Sequence, residues 1–189
     1  MNLIRAAISG DIRRVRELLD RDIDPNIRDN DGMTALILAS RNGDPDIVQL
    51  LLDHGANPNI QSNRGNTALI IVSSSLMLHQ RRIDIVKMLL DRGADPNIRD
   101  NYGDTALISA SSNGLSDIVR LLLDNGADPN IRDNYGTTAS MIVSSDRRTD
   151  ILKMLLDRGA DPNIRDNFSR TVLRYASSDG QTDIVKILS

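Results

Sequence analysis

Hard oxygen donors recur at fixed places along this chain. The heptapeptide Asp-Pro-Asn-Ile-Arg-Asp-Asn begins at Asp95, Asp128 and Asp161, and close relatives begin at Asp24 and Asn57. Carboxylates and carboxamides are the ligands of calcium, so a cation site is the first chemistry to weigh. The spacing argues against it. A calcium loop needs a longer run of ligands closed by a distant glutamate, whereas Asp100-Asn101 and its equivalents sit beside a glycine, where Asp and Asn favour turns. Other chemistry is thinner still. There is no cysteine, and the two histidines, His54 at a helix end and His79 in an insertion, form no dyad and no multi-histidine metal set. Glycines stand singly at turn positions, so no phosphate-cradling loop is expected. The residues therefore predict no catalytic group, no cofactor and no metal.

What must position these strings is a repeat. Pro25, Pro58, Pro96, Pro129 and Pro162 are spaced 33, 38, 33 and 33 residues apart, a period that belongs to stacked supersecondary units. The 189 residues are 40% hydrophobic with no apolar run near the length of a membrane span, which predicts a soluble protein without a membrane partner. Only four aromatics are present, so burial must come from Leu, Ile, Val and Ala in many small contacts. A net charge of -3 with mixed signs argues against nucleic-acid binding. The lack of cysteine suits a reducing compartment, and Met1 to Ala7 has no sustained apolar core, so a cytoplasmic location is expected.

Residues 29–61 serve as the type unit. Asp29-Asn30-Asp31-Gly32 is turn chemistry, with Gly32 free to take a positive φ, and Thr34 follows as a helix N-cap. Leu36, Leu38 and Ala39 give a short first helix closing at Asn42-Gly43. Asp46 opens a second helix with Ile47, Val48, Leu50, Leu51 and Leu52 as its apolar stripe, and Gly55 ends it. Pro58 then leads outward to the next Asp-Asn tip.

This pattern resembles the ankyrin repeat. The family's turn, cap and helix positions are matched by Asp100, Gly103, Thr105, Leu107, Ala110, Gly114, Ile118, Val119, Leu122, Leu123, Gly126, Ala127, Asp128 and Asn130. The resemblance implies an all-α solenoid of stacked helix-turn-helix units with projecting β-hairpin loops. The family's proline after the cap is replaced by Ala35, Ala68, Ala106, Ala139 and Val172, and its histidine by Ile37, Ile70, Ile108, Met141 and Arg174. Packing must then substitute for that histidine's hydrogen bonds. A single domain, 1–189, is expected to hold an N-terminal capping repeat at 1–28, repeats at 29–61, 62–99, 100–132 and 133–165, and a C-terminal capping repeat at 166–189. Asp22 replaces the usual loop glycine in the first of them.

A second period lies beneath the first. Gly43, Gly114 and Gly180 stand in the interhelical turns of alternate repeats, whereas the repeats between carry Arg81-Arg82 and Arg147-Arg148. The third repeat also carries five extra residues within Ser73 to Arg82, a corner insertion of the kind that maps to one edge of a solenoid.

The strongest candidate for recognition is a ladder. Tyr102, Tyr135 and Phe168 are spaced by 33, beside a row formed by Arg28, Arg99, Arg132 and Arg165 with Gln61 as its gap. Ankyrin proteins commonly use the positions matching these rows to meet partners on a concave face, together with Met33, Asp104 and Arg170 on the hairpins and Arg41, Ser112, Ser145 and Ser178 on the first helices. Tyr and Arg are enriched at interface hot spots. A plainer reading also fits, in which the rings pack on each other and Arg pairs with Asp100, Asp133 or Asp166 to hold the loops in register. Serine pairs near the ends of the first helices (Ser73-Ser74, Ser111-Ser112, Ser144-Ser145 and Ser177-Ser178) would give a small, polar groove floor, which suits an acidic, extended partner. The expected function is that of a monomeric, non-enzymatic module binding another protein. The alternatives are a structural or self-associating array docking through Leu76-Met77-Leu78 or through its C-terminal face, and the recognition part of a viral or bacterial effector working in the host cytosol.

Overall fold

The computed structural model describes residues 2–74, 79–146, 148–178 and 180–188, and the side chains of His79 and Ser178 also lie outside the described set. The chain divides into two compact units, residues 1–101 and 102–189. The first contains α1 (Leu3–Ile8), α2 (Ile12–Leu19), α3 (Ala35–Asn42), α4 (Pro45–Asp53), α5 (Ala68–Ser74) and α6 (His79–Asp91). The second contains α7 (Ala106–Ser112), α8 (Ser116–Asp124), α9 (Ala139–Ser145), α10 (Thr149–Asp157), α11 (Val172–Ser178) and α12 (Thr182–Leu188). Consecutive helices pair. In the first unit α3 packs between α1 and α5 while α4 packs between α2 and α6; in the second α9 packs between α7 and α11 while α10 packs between α8 and α12. Each helix pair thus buries its apolar faces on its neighbours, the nearest-neighbour energetics of a stacked repeat.

The first helices start where threonine caps them. The hydroxyls of Thr34, Thr67 and Thr105 accept the amides of Ile37, Ile70 and Ile108, each at 3.2 Å. Those three isoleucines and Met141 are buried, so apolar packing does replace the family's histidine. Thr138 makes no such side-chain cap; its carbonyl instead accepts the Met141 amide, which tightens the first turn of α9. Gly43 closes α3 in the left-handed conformation, φ 76°. In the second helices Ile47, Val48 and Leu51, then Ile85, Val86 and Leu89, then Ile118, Val119 and Leu122, then Ile151, Leu152 and Leu155 form the buried stripe. α6 begins at His79 and runs 13 residues against 9 for α4, α8 and α10, so the end of the inserted stretch is helix. Leu76, Met77 and Leu78 lie outside the described residues.

The serine pairs do not share one surface as expected. Ser73, Ser111 and Ser144 are fully buried with Ser40, whereas Ser74, Ser112 and Ser145 face outward, as does Ser177 on α11, which holds the register of the buried three. Successive helical residues turn about 100° apart, so adjacent serines cannot both line a floor. Ser144 Oγ donates to the Ser140 carbonyl at 2.7 Å, whereas the hydroxyls of Ser40, Ser73 and Ser111 have no hydrogen-bond partner among the described residues.

The alternating period has a structural cause. Arg81 donates to the Gly43 carbonyl at 3.2 Å, and Arg148 reaches back across Gly114 toward the Ser112 carbonyl at 3.4 Å. At the far ends of the second helices Arg92 pairs with Asp53, and Arg158 pairs with Asp124. Each arginine-bearing helix pair therefore grips the glycine-bearing pair before it at two corners.

Candidate interaction surface

The repeated Asp-Pro-Asn string is a hydrogen-bond ladder. Asp24, Asp95, Asp128 and Asp161, and Asn57 in the same register, accept with Oδ1 the amide of the asparagine two residues on, at 2.8–2.9 Å. That asparagine then reaches the next loop. Asn26 accepts the Asn57 amide and donates to Gly55, Asn59 accepts the Asp95 amide and donates to Gly93, and Asn130 accepts the Asp161 amide and donates to Gly159. One oxygen of each of these side chains is thus engaged by an N–H group. Among the described residues no group of three His, Cys, Asp or Glu side chains could hold a metal ion.

The tips follow the same logic. Asp29 Oδ1 accepts the amides of Asp31 and Met33, Asp133 Oδ1 those of Tyr135 and Thr137, and Asp166 Oδ1 those of Phe168 and Arg170. Because a carboxylate takes amides at the turn, and the tip backbones bond onward to the next tip, there is little cross-strand ladder. The expected β-hairpins reduce, among the described residues, to one isolated bridge between Arg28 and Thr34. Asn63 donates to the carbonyls of Asn30 and Asp31, Asn101 to those of Asn63 and Arg64, and Asn167 to those of Asn134 and Tyr135. The contact is tight enough that a Cβ on Gly32, Gly65 or Gly136 would stand 2.7–2.8 Å from the amide nitrogen of Asn63, Asn101 or Asn167. At the last tip Ser169 occupies the glycine position with φ 62°.

Arg28, Arg132 and Arg165 run along the tips and turn to carbonyls and an asparagine side chain. Arg28 donates through Nε to Gly32 and through Nη2 to the Gln61 carbonyl and Asn63 Oδ1. Arg132 does the same to Gly136 and Asn167 Oδ1, and Arg165 donates to Ser169. Gln61, the gap in the row, substitutes by donating to Gly65 and to the Arg99 carbonyl. The carboxylates are occupied by the turn amides, so the cations turn to carbonyls. Arg99 is exposed in the first unit.

The aromatic row is what the tips hold outward. Tyr102, Tyr135 and Phe168 are 64%, 65% and 70% exposed, three of the largest apolar exposures among the described residues. All three lie in the second unit, one tip bonded to the next through Asn134 N–H to the Tyr102 carbonyl and Asn167 N–H to the Tyr135 carbonyl. Asp104 is half-buried beside the first of them, and Ser112 and Ser145 are exposed at the ends of α7 and α9. At the last tip Arg170 stacks on two rings, its guanidinium carbon 5.0 Å from the Phe168 centroid and 4.7 Å from that of Tyr175. Arg170 Nε and the Tyr175 hydroxyl both donate to Asp166 Oδ2, at 2.8 and 2.9 Å. Burial alone would raise the Asp166 carboxyl, but the Arg170 amide and guanidinium, the Tyr175 hydroxyl and the Phe168 amide hold it down to about 2. Burial and the Asp166 charge push the Tyr175 hydroxyl up. Arg170 is therefore committed within the tip and is less available to a partner than its sequence position suggests.

In the first unit Met33 is half-buried and Arg41 exposed, and together they line a groove of about 340 Å³ with Arg64 and Ile71. Sequence reasoning passed over Arg64. The signal was present, since Arg64 precedes Gly65 as Tyr102, Tyr135 and Phe168 precede Gly103, Gly136 and Ser169.

Models of ankyrin repeats match residues 3–100 and 76–133, and a second model of ankyrin repeats matches residues 124–176. No protein of curated function matches the chain. Among solved structures it is similar to the ankyrin repeat protein EF0377, at 34% identity over 98% of this chain and 95% of that one, with a TM-score of 0.88. It is also similar to an ankyrin repeat domain, ABAYE2397 from Acinetobacter baumannii AYE, at 30% identity over 98% and 95% of the two chains, with a TM-score of 0.89.

Proposed function

Since this chain belongs to the ankyrin repeat family, whose repeats are generally protein–protein interaction modules, we propose that it is a non-enzymatic binding module that meets a partner protein on its hairpin tips and first helices. The observation that supports this most is the exposure of Tyr102, Tyr135 and Phe168 at one register on tips fixed by backbone and asparagine bonds. Large rings left in water on a rigid base bind at low cost in ordering entropy, and such residues are the usual interface anchors. The arginines contribute by holding the tips, and Ser112 and Ser145 leave the adjoining helix ends small and polar.

The test is affinity capture from a cell extract with the intact chain and with Tyr102→Ala, Tyr135→Ala, Phe168→Ala combined, beside thermal melts. Captured partners should be lost from the triple variant, since truncating an anchor costs about 2 kcal/mol or more in binding. Stability should change by less than about 0.5 kcal/mol per exposed Tyr substitution. If every captured partner were retained while the melt fell sharply, the row would be scaffolding and the proposal wrong.

A further inference from the structure

The groove in the first unit carries cations that the fold does not use. Other arginines of the same unit are consumed by structure: Arg28 by Gly32, Gln61 and Asn63, Arg81 by Gly43, Arg92 by Asp53. Arg41, at the end of α3, and Arg64, on the next tip, are both exposed and make no side-chain hydrogen bond or ion pair with the described residues. Both line the same groove of about 340 Å³, whose apolar contribution comes from the half-buried Met33 and Ile71. The third charged group at its edge, Asp31, has its backbone fixed by Asp29 and Asn63 and leaves its carboxylate outward.

We propose that this groove seats an acidic, partly apolar segment of a partner protein, with a carboxylate held between Arg41 and Arg64 and a neighbouring aliphatic side chain against Met33 and Ile71. The inference rests on the binding-module reading above and adds to it the chemistry of the partner. A guanidinium fork matches a carboxylate with two parallel bonds, and in a partly dry groove such bonds are about twice as strong as neutral ones. The volume is near the lower end of small-ligand pockets, which suits two or three residues of an extended chain. Asp31 on the rim sets polarity, since it repels a second carboxylate there and accepts a backbone amide or a basic side chain.

The probe is a fluorescein-labelled octapeptide of alternating Glu and Leu, titrated by anisotropy with the intact chain. Control peptides replace Glu by Gln, by Lys or by phosphoserine. The Glu peptide should bind best. It should lose at least ten-fold with Arg41→Gln, Arg64→Gln combined, and should bind unchanged to Arg13→Gln, Arg16→Gln, which removes the same charge from α2. Melts of both variants keep a folding defect from being read as a binding one, and Arg64→Gln alone, on an exposed tip, should still lose several-fold. Equal loss with both double variants, equal binding of the Gln peptide, tighter binding of the phosphoserine peptide, or no binding of the Glu peptide would each overturn the proposal. Partners that survive Arg41→Gln, Arg64→Gln but not the aromatic triple variant would remove this groove alone. Partners lost from neither would remove the binding-face reading.

Discussion

The guanidinium of Arg148 lies over Gly114, in the place where any β-carbon on that residue would stand. Gly114 also has φ 67°, a left-handed conformation. Gly126 has φ 84° but open space around its β-position. Alanine at Gly126 should therefore cost only the left-handed backbone term, about 1 kcal/mol. Alanine at Gly114 should cost that and about 1–3 kcal/mol more for displacing Arg148. In an Arg148→Ala background the two alanines should become equivalent, a coupling that thermal or urea melts of the four variants measure directly.

Among the described residues two left-handed positions carry side chains, Asp22 at φ 59° and Ser169 at φ 62°. Asp22→Gly and Ser169→Gly should each stabilise the chain by about 0.5–1 kcal/mol, the backbone relief being partly offset by the looser unfolded chain. The reverse change at the matching tip, Gly136→Ser, should be strongly destabilising, because its Cβ would meet the Asn167 amide nitrogen at 2.8 Å. Equal and opposite effects at positions 136 and 169 would show that φ alone governs both.

Acid should weaken the last tip through Asp166. Its folded value of about 2 lies below the ordinary 3.8, so its contribution is fully present above the unfolded value and is lost as pH falls from about 4 toward 2. The melting temperature of the intact chain should fall over that window, and Asp166→Asn should flatten the fall while lowering the plateau at neutral pH. An unchanged slope in Asp166→Asn would assign the acid sensitivity to other carboxylates.

Ser111 is fully buried with a hydroxyl that has no partner among the described residues. Ser111→Ala removes an unsatisfied polar atom without opening a large cavity, so it should stabilise by up to about 1 kcal/mol. Ser144→Ala, which breaks the bond to the Ser140 carbonyl, should be neutral or worse. Paired melts of the two variants distinguish them.

Chemistry between near neighbours in the chain is legible in the amino-acid sequence. Thr34, Thr67 and Thr105 as caps, Gly32 and Gly43 as left-handed turns and the apolar stripe of α4 all follow from residues a few positions apart. The aromatic row is legible from spacing alone, since its exposure needs only a tip. Bonds between residues 29–39 positions apart, such as Arg28 to Asn63 and Asn59 to Asp95, are not, because they depend on the stacking register of neighbouring repeats. The inward turn of Ser111 against the outward turn of Ser112 likewise depends on the rotation of α7 against its neighbours. Arg170 reads as a free contact residue in the sequence although Asp166 and Tyr175 stand only four and five positions away, because the turn between them and the start of α11 must fold before all three side chains converge.

Near-identical tandem sequences face an addressing problem while they fold, since any helix pair could dock on the wrong neighbour and loop out the one between. The corner arginines answer it. Arg148 finds room only over a glycine such as Gly114, and Arg158 finds its carboxylate at Asp124, whereas the matching position at the end of α8, Asn125, turns its amide to its own helix at Leu121. A chain that skipped one repeat would bring arginine against arginine or leave glycine uncovered. A chain that skipped two would satisfy every corner, so the mis-stacked species this design tolerates are those missing a pair.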